Sequence, residues 1–103
     1  MKEFNIEITN EALRDLERIY LYIATKLLAP ENASGQYERI THSTMKLDTM
    51  PERYRLIESE PEKSRGLRIM PVDSYSVIYI VKNQKVIITN ILYSASDLHG
   101  RLK

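Results

Sequence analysis

Arg68 is an isolated cation in an apolar block. It lies in Gly66-Leu67-Arg68-Ile69-Met70-Pro71-Val72, just ahead of Tyr75-Ser76-Val77-Ile78-Tyr79-Ile80-Val81. A guanidinium stays protonated, so it can bind charge but cannot move a proton. Proton transfer near neutral pH would fall to one of the two histidines. His42 lies within a helical stretch, near no other candidate, and reads as a surface residue. His99 lies close to the C-terminus, and a histidine there can serve as acid or base. The chain has no cysteine, which excludes disulfides and thiol chemistry. Without a tight His/carboxylate cluster, neither a metal site nor a cofactor is expected. Arg68 also has an ordinary explanation, as a structural cation paired with Glu58, Glu60 or Glu62 or facing solvent.

The rest of the charge is unevenly spread. Residues 1–50 carry six cations and eight anions, whereas residues 51–103 carry nine cations and six anions. The mildly basic C-terminal half permits contact with phosphate without demanding it. Arg53, Arg55, Lys63, Arg65 and Arg101 are the cations available there.

The elements that must position these residues follow from periodicity. Phe4, Ile6 and Ile8 alternate with Asn5 and Glu7, as in a strand with one buried face. Thr9 or Asn10 offers a helix N-cap, and Glu11 suits the first turn. Leu13, Leu16, Tyr20, Ile23 and Leu27 fall at spacings of three and four, with Arg14, Asp15, Arg18 and Lys26 on the other side. Pro30 stops this helix and opens the next. Ala33, Tyr37, Ile40, Thr44 and Leu47 repeat the spacing until Pro51. A short link makes the two helices pack antiparallel. Residues 51–65 are polar, with a short edge strand at Tyr54-Arg55-Leu56-Ile57 and an exposed loop after it. Three strands follow, two of them turning at Asp73-Ser74 and the third beginning after Asn83-Gln84. The order β-α-α-β-β-β-β predicts the α+β class, with an antiparallel sheet packed against an N-terminal helical hairpin.

At 103 residues this is one domain, 1–103, with a small core. No apolar run reaches membrane-spanning length, and the N-terminus lacks a signal-peptide pattern. A cytoplasmic location, without membrane partners, is expected.

Taken in order, the elements resemble a known family. The markers are Ala12-Leu13-Arg14-Asp15-Leu16 on the first helix, Tyr22-Ile23 at its end, and Leu47-Asp48-Thr49-Met50-Pro51 after the second. Gly66-Leu67-Arg68, Tyr75-Ser76-Val77-Ile78-Tyr79, Ile91-Leu92-Tyr93 and Asp97-Leu98 complete the set. Together they resemble the RelE/ParE superfamily of toxins from type II toxin–antitoxin modules. The resemblance implies a small bacterial toxin neutralised by a cognate antitoxin protein. RelE-like members cleave ribosome-bound mRNA without a metal, whereas ParE-like members inhibit DNA gyrase and are not nucleases.

RNA cleavage through the 2′-hydroxyl needs a base, a cation on the phosphate and an acid for the leaving oxygen. The resemblance places Arg68 at the family's strand arginine, where its planar fork would hold the scissile phosphate. It places His99, in Ala95-Ser96-Asp97-Leu98-His99, near the family's C-terminal Tyr or His. Arg53, Arg55, Lys63, Arg65 and Arg101 would supply further phosphate contacts. Two positions depart from the nuclease pattern, because Ala95 and Ser76 stand where arginines are common. The leading expectation is a ribosome-dependent endoribonuclease using Arg68 and His99. The alternative is a non-enzymatic gyrase inhibitor.

Overall fold

The structure, a computed structural model, describes residues 3–94. Strand β1 (Asn5–Ile8) leads into helix α1 (Asn10–Leu21), which continues as a π-helical turn over Tyr22–Lys26. Helix α2 (Pro30–Met45) runs into 3₁₀ turns at Lys46–Asp48 and Pro51–Arg53. The hairpin strands β2 (Arg68–Val72), β3 (Tyr75–Lys82) and β4 (Lys85–Tyr93) follow. The sheet order is β1-β4-β3-β2, and the two helices pack on one face. The α+β class and the helical hairpin are as expected.

Two details of the sheet differ from the sequence reading. The sheet is mixed, because β1 runs parallel to β4 while the other pairs are antiparallel. The helical hairpin carries the chain from one edge of the sheet to the other, so the meander that returns ends with β4 beside β1 and pointing the same way. The edge strand at 54–57 is reduced to one antiparallel bridge, Leu56 opposite Arg68. Hydrogen bonds from Ile57 N–H to the Leu67 carbonyl (2.9 Å) and from Ile69 N–H to the Arg55 carbonyl (3.1 Å) hold it there. Pro71, exposed in β2, has no N–H to offer a further strand, which suits an edge position.

The turns follow from residue chemistry. Asn83 and Gln84 both adopt positive φ (50° and 67°), as a two-residue hairpin turn with matched twist requires. Asp73 takes φ 55° in the β2–β3 turn, a conformation that Asp tolerates better than most residues. Thr9 caps α1 by accepting the Ala12 N–H (3.1 Å), and its hydroxyl donates to the Ile88 carbonyl (2.8 Å). The helix start is thereby fixed to β4.

The main core lies between the helices and the sheet: Ala12, Leu16, Ile40, Leu47, Met70, Val77, Tyr79, Val86 and Ile88 are among its buried members. On the opposite face Ile57, Leu67, Ile69, Ile78 and Leu92 form a smaller cluster, covered by the segment that precedes β2. Both helical stripes are rotated slightly from their predicted lines. Leu13 (48% exposed) and Tyr37 (42%) face out, while Asp15 and Gln36 are buried. The reason is that both polar side chains have a specific partner at the sheet, described below.

Candidate functional site

Arg68 opens β2 directly opposite Tyr79, so both side chains lie on the helix-facing side of the sheet. Its Nη1 donates to the Tyr54 carbonyl (2.7 Å) and the Glu52 carbonyl (3.3 Å). The Tyr79 hydroxyl, fully buried, donates to the Pro51 carbonyl (2.6 Å). Three backbone acceptors of the 51–54 turn, at Pro51, Glu52 and Tyr54, are thus met from the sheet. Burial pushes the Tyr79 phenol up to about 12, against the opposing pull of the nearby Arg68 guanidinium, so it is neutral and donating at physiological pH. The 51–54 turn needs this support because Met50, just before Pro51, sits at φ 49°, a conformation disfavoured for a side chain of its size.

Arg68 is therefore bound to backbone carbonyls of the 51–54 turn. Glu62, itself buried, accepts from the Ser59 hydroxyl (2.7 Å), and Glu60 accepts from Ser64. Arg53 lies over the Tyr54 ring, 5.2 Å from its centroid, and donates to the Thr49 carbonyl (3.2 Å). Arg55, Lys63 and Arg65 are exposed. His99 and Arg101, together with Ala95, lie outside the described residues. Ser76 is buried and its hydroxyl is 2.8 Å from that of Ser94. His42 is exposed on α2, as expected.

The sheet separates two of these positions. Arg68 pairs with Tyr79, whereas Tyr93, the last residue of β4, pairs with Tyr75. Four residues along β3 correspond to about 13 Å at ~3.3 Å per residue. The chain thus leaves β4 at the far end of the hairpin from Arg68.

That far end forms a second site, a cleft between the helical hairpin and the ends of β3 and β4, of about 810 Å³. Tyr22, Tyr75, Tyr93, Leu27, Arg18 and Arg39 are among its lining residues. Tyr75 and Tyr93 meet edge to face, with centroids 5.8 Å apart. Tyr75 and Tyr79 pack against the core, whereas Tyr93 is 53% exposed because β4 ends there. The Tyr75 phenol is pushed up by burial and by the nearby phenols of Tyr93 and Tyr22.

Asp15 and Gln36 sit at the floor of this cleft. β1 ends at Ile8, so among the described residues β4 has no strand neighbour on that side beyond Ile88. Asp15 Oδ2 takes over by accepting the Ile91 N–H (3.0 Å), while its Oδ1 accepts from Arg18 (3.2 Å). Gln36 Nε2 donates to Asp73 Oδ2 (3.1 Å), and Arg39 Nε donates to the same oxygen (2.7 Å). These bonds lower the Asp73 pKa, Arg39 more than Gln36. The sequence reading treated Asp15 as part of the solvent side. The signal was its spacing, three residues after Ala12 and four before Ile19, which is the buried line itself.

The family model described as "ParE toxin of type II toxin-antitoxin system, parDE" matches residues 6–98, and the chain belongs to that family. Among solved structures, a chain of the chromosomal ParDE toxin–antitoxin system from P. aeruginosa is similar, with a TM-score of 0.73 and 23% identity. The match covers 88% of this chain and 96% of that one. A chain of the RelBE2 toxin–antitoxin complex from Mycobacterium tuberculosis is similar with a TM-score of 0.63 and 16% identity, over 88% of this chain and 98% of that one. Both likenesses are likenesses of fold. No curated protein matches the chain by sequence.

Proposed function

We propose that this toxin acts as a gyrase inhibitor rather than as a nuclease, and that a cognate antitoxin neutralises it. The observation that carries this reading is the position of Arg68. Its Nη1 is bound to two backbone carbonyls at one end of the hairpin, about 13 Å (~3.3 Å per residue) from the end where β4 finishes. An arginine whose fork already anchors its own chain has less of that fork free to clamp a scissile phosphate. Ser76 supports the same reading, since a buried serine bound to Ser94 stands where a nuclease-type site would carry a cation.

The competing reading retains Arg68 and His99 as the catalytic pair, with Arg53, Arg55, Lys63, Arg65 and Arg101 on the phosphates of ribosome-bound mRNA. The exposed cations before β2 favour it. Either target calls for a cytoplasmic toxin.

Two assays on the purified full-length chain separate the readings. The first follows supercoiling by gyrase, and the second follows mRNA cleavage on programmed ribosomes, with wild type and His99→Gln. The expected result is inhibited supercoiling and intact mRNA. Cleavage by wild type that drops about 10²–10⁴-fold in His99→Gln, the usual worth of acid–base assistance, overturns the gyrase reading in favour of the ribosome.

A further inference from the structure

An unpaired strand edge offers its N–H and C=O groups to any other strand that meets it. Two edges of this sheet are closed by local devices. On β2, Pro71 has no N–H to give, and bonds to Arg55 and Ile57 cover Ile69 and Leu67. On β1, the Asp48 carbonyl takes the Phe4 N–H (2.7 Å), and Glu7 adds a charge. The third edge is the stretch of β4 that outruns β1. Pairing with β1 ends at Ile88, and the Thr9 hydroxyl reaches one residue further, to the Thr89 carbonyl (3.3 Å). The Ser94 N–H bonds across to the Ser74 carbonyl (2.8 Å). Successive residues of an antiparallel ladder alternate, so Ile91 and Tyr93 turn their N–H and C=O groups away from β3. The run Thr89-Asn90-Ile91-Leu92-Tyr93 holds no charge and no proline. Among the described residues, the side chain bonded to this edge beyond Thr89 is Asp15, which is 7% exposed. Its Oδ2 accepts the Ile91 N–H at 3.0 Å, while Arg18 holds Oδ1 and so aims the carboxylate.

We propose that Asp15 guards this edge: its carboxylate fills the place of a neighbouring strand's carbonyl and keeps β4 from pairing with β4 of a second copy. The open edge is self-complementary, which is why the competitor is a second copy. Two such strands related by a two-fold axis at Ile91 run antiparallel. Each Ile91 then exchanges both of its outward hydrogen bonds with its counterpart, and Thr89 lies opposite Tyr93. No like charges face each other along that pair. The pair needs the Ile91 N–H of each copy, and Asp15 already holds it. Helix α1 can supply the guard because it starts just after β1 ends and runs beside the vacated edge, bonding to it first through Thr9 and then through Asp15. This role is independent of the target proposed above.

The test is sedimentation velocity of the full-length chain over a concentration series. Asp15→Ala removes the acceptor, and its mass is expected to double relative to wild type as concentration rises. Asp15→Asn keeps an oxygen for the Ile91 N–H and is expected to match wild type. Asp15→Ala/Tyr93→Pro is expected to return to the wild-type mass, because proline takes a second donor off the open edge. The Tyr93 N–H faces away from β3, so proline there removes no bond of the β3–β4 ladder. Amide hydrogen exchange supplies a readout that a merely structural role would not move. The Ile91 N–H should exchange faster in dilute Asp15→Ala than in wild type and regain protection as the variant associates. Folded Asp15→Ala with the wild-type mass at every concentration overturns the proposal. So does association that survives Tyr93→Pro, which would run through another surface, and so does equal association of Asp15→Asn and Asp15→Ala. If Asp15→Ala lacks the far-UV circular dichroism of wild type, Asp15→Leu, which fills more of the space and also lacks an acceptor, is measured in its place. Failure of both to fold makes Asp15 a structural residue and overturns the guard.

Discussion

Arg68 shows how one residue can be conspicuous in the sequence for a reason the sequence does not reveal. Its isolation in an apolar block pointed to a dedicated partner, and the family resemblance suggested phosphate. The partner within the fold is the backbone of the 51–54 turn, which no pattern of side chains could announce, because carbonyls are carried by every residue alike. Removing the guanidinium leaves those carbonyls without their charged donor. Arg68→Ala is therefore expected to lower stability by about 1.5–3 kcal/mol, the usual worth of a hydrogen bond to a charged group. The midpoint of urea denaturation checks this. Asp15 teaches the complementary lesson. Its position on the buried line was legible in the spacing, but a polar residue there was assigned to solvent by its type. Gln36 beside exposed Tyr37 repeats the pattern on α2. In both cases the polar residue goes inward because a particular donor or acceptor at the sheet awaits it, and the neighbouring apolar residue turns outward in exchange.

At the scale of elements, the hairpins, helices and their order were readable, since alternation and three-four spacing depend only on local sequence. Strand direction at the β1 edge was not, because parallel pairing depends on the path of the helical hairpin between the two strands. The sequence also gave no hint of the clamp that ties α2 to the β2–β3 turn through Asp73. Its electrostatics make a pH prediction. Asp73 has its folded-state pKa lowered from 3.8 by Arg39 and then by Gln36. A carboxylate stabilised in the folded state contributes above its unfolded pKa, and that contribution is lost as pH falls through the lowered folded value. Stability should thus decline as the pH drops below about 4, the ordinary carboxylate range. Asp73→Asn keeps a residue that tolerates positive φ but removes the titrating charge. Thermal melting between pH 7 and pH 2 should show a shallower acid decline in Asp73→Asn than in wild type. Parallel curves would remove Asp73 from the acid response. The effect should be modest and salt-sensitive, since both partners are exposed.

For the whole molecule, the main consequence of the fold is how much apolar surface it leaves uncovered. Tyr22, Leu27 and Tyr93 border the cleft at 55%, 56% and 53% exposure. A small domain has little core to spare, so large side chains left outside mark a surface that another molecule covers. For a member of this family the fitting occupant is the antitoxin. An exposed aromatic residue on such a surface is the kind that carries binding energy, commonly 2 kcal/mol or more, which is upwards of about 30-fold in affinity. Tyr93→Asp removes the ring, places a charge beside Tyr75, and alters a residue at the end of its strand, where the core is least disturbed. It is expected to weaken antitoxin binding by at least that factor in calorimetric titration, with thermal stability of the free toxin close to wild type. A ligand that binds only the folded state stabilises it by about 2.7 kcal/mol at a hundredfold excess over Kd. Saturating antitoxin should therefore raise the melting temperature of wild type well above that of Tyr93→Asp at the same concentration. If the two complexes melt together, the antitoxin covers some other face, and the exposed tyrosines of the cleft require another occupant.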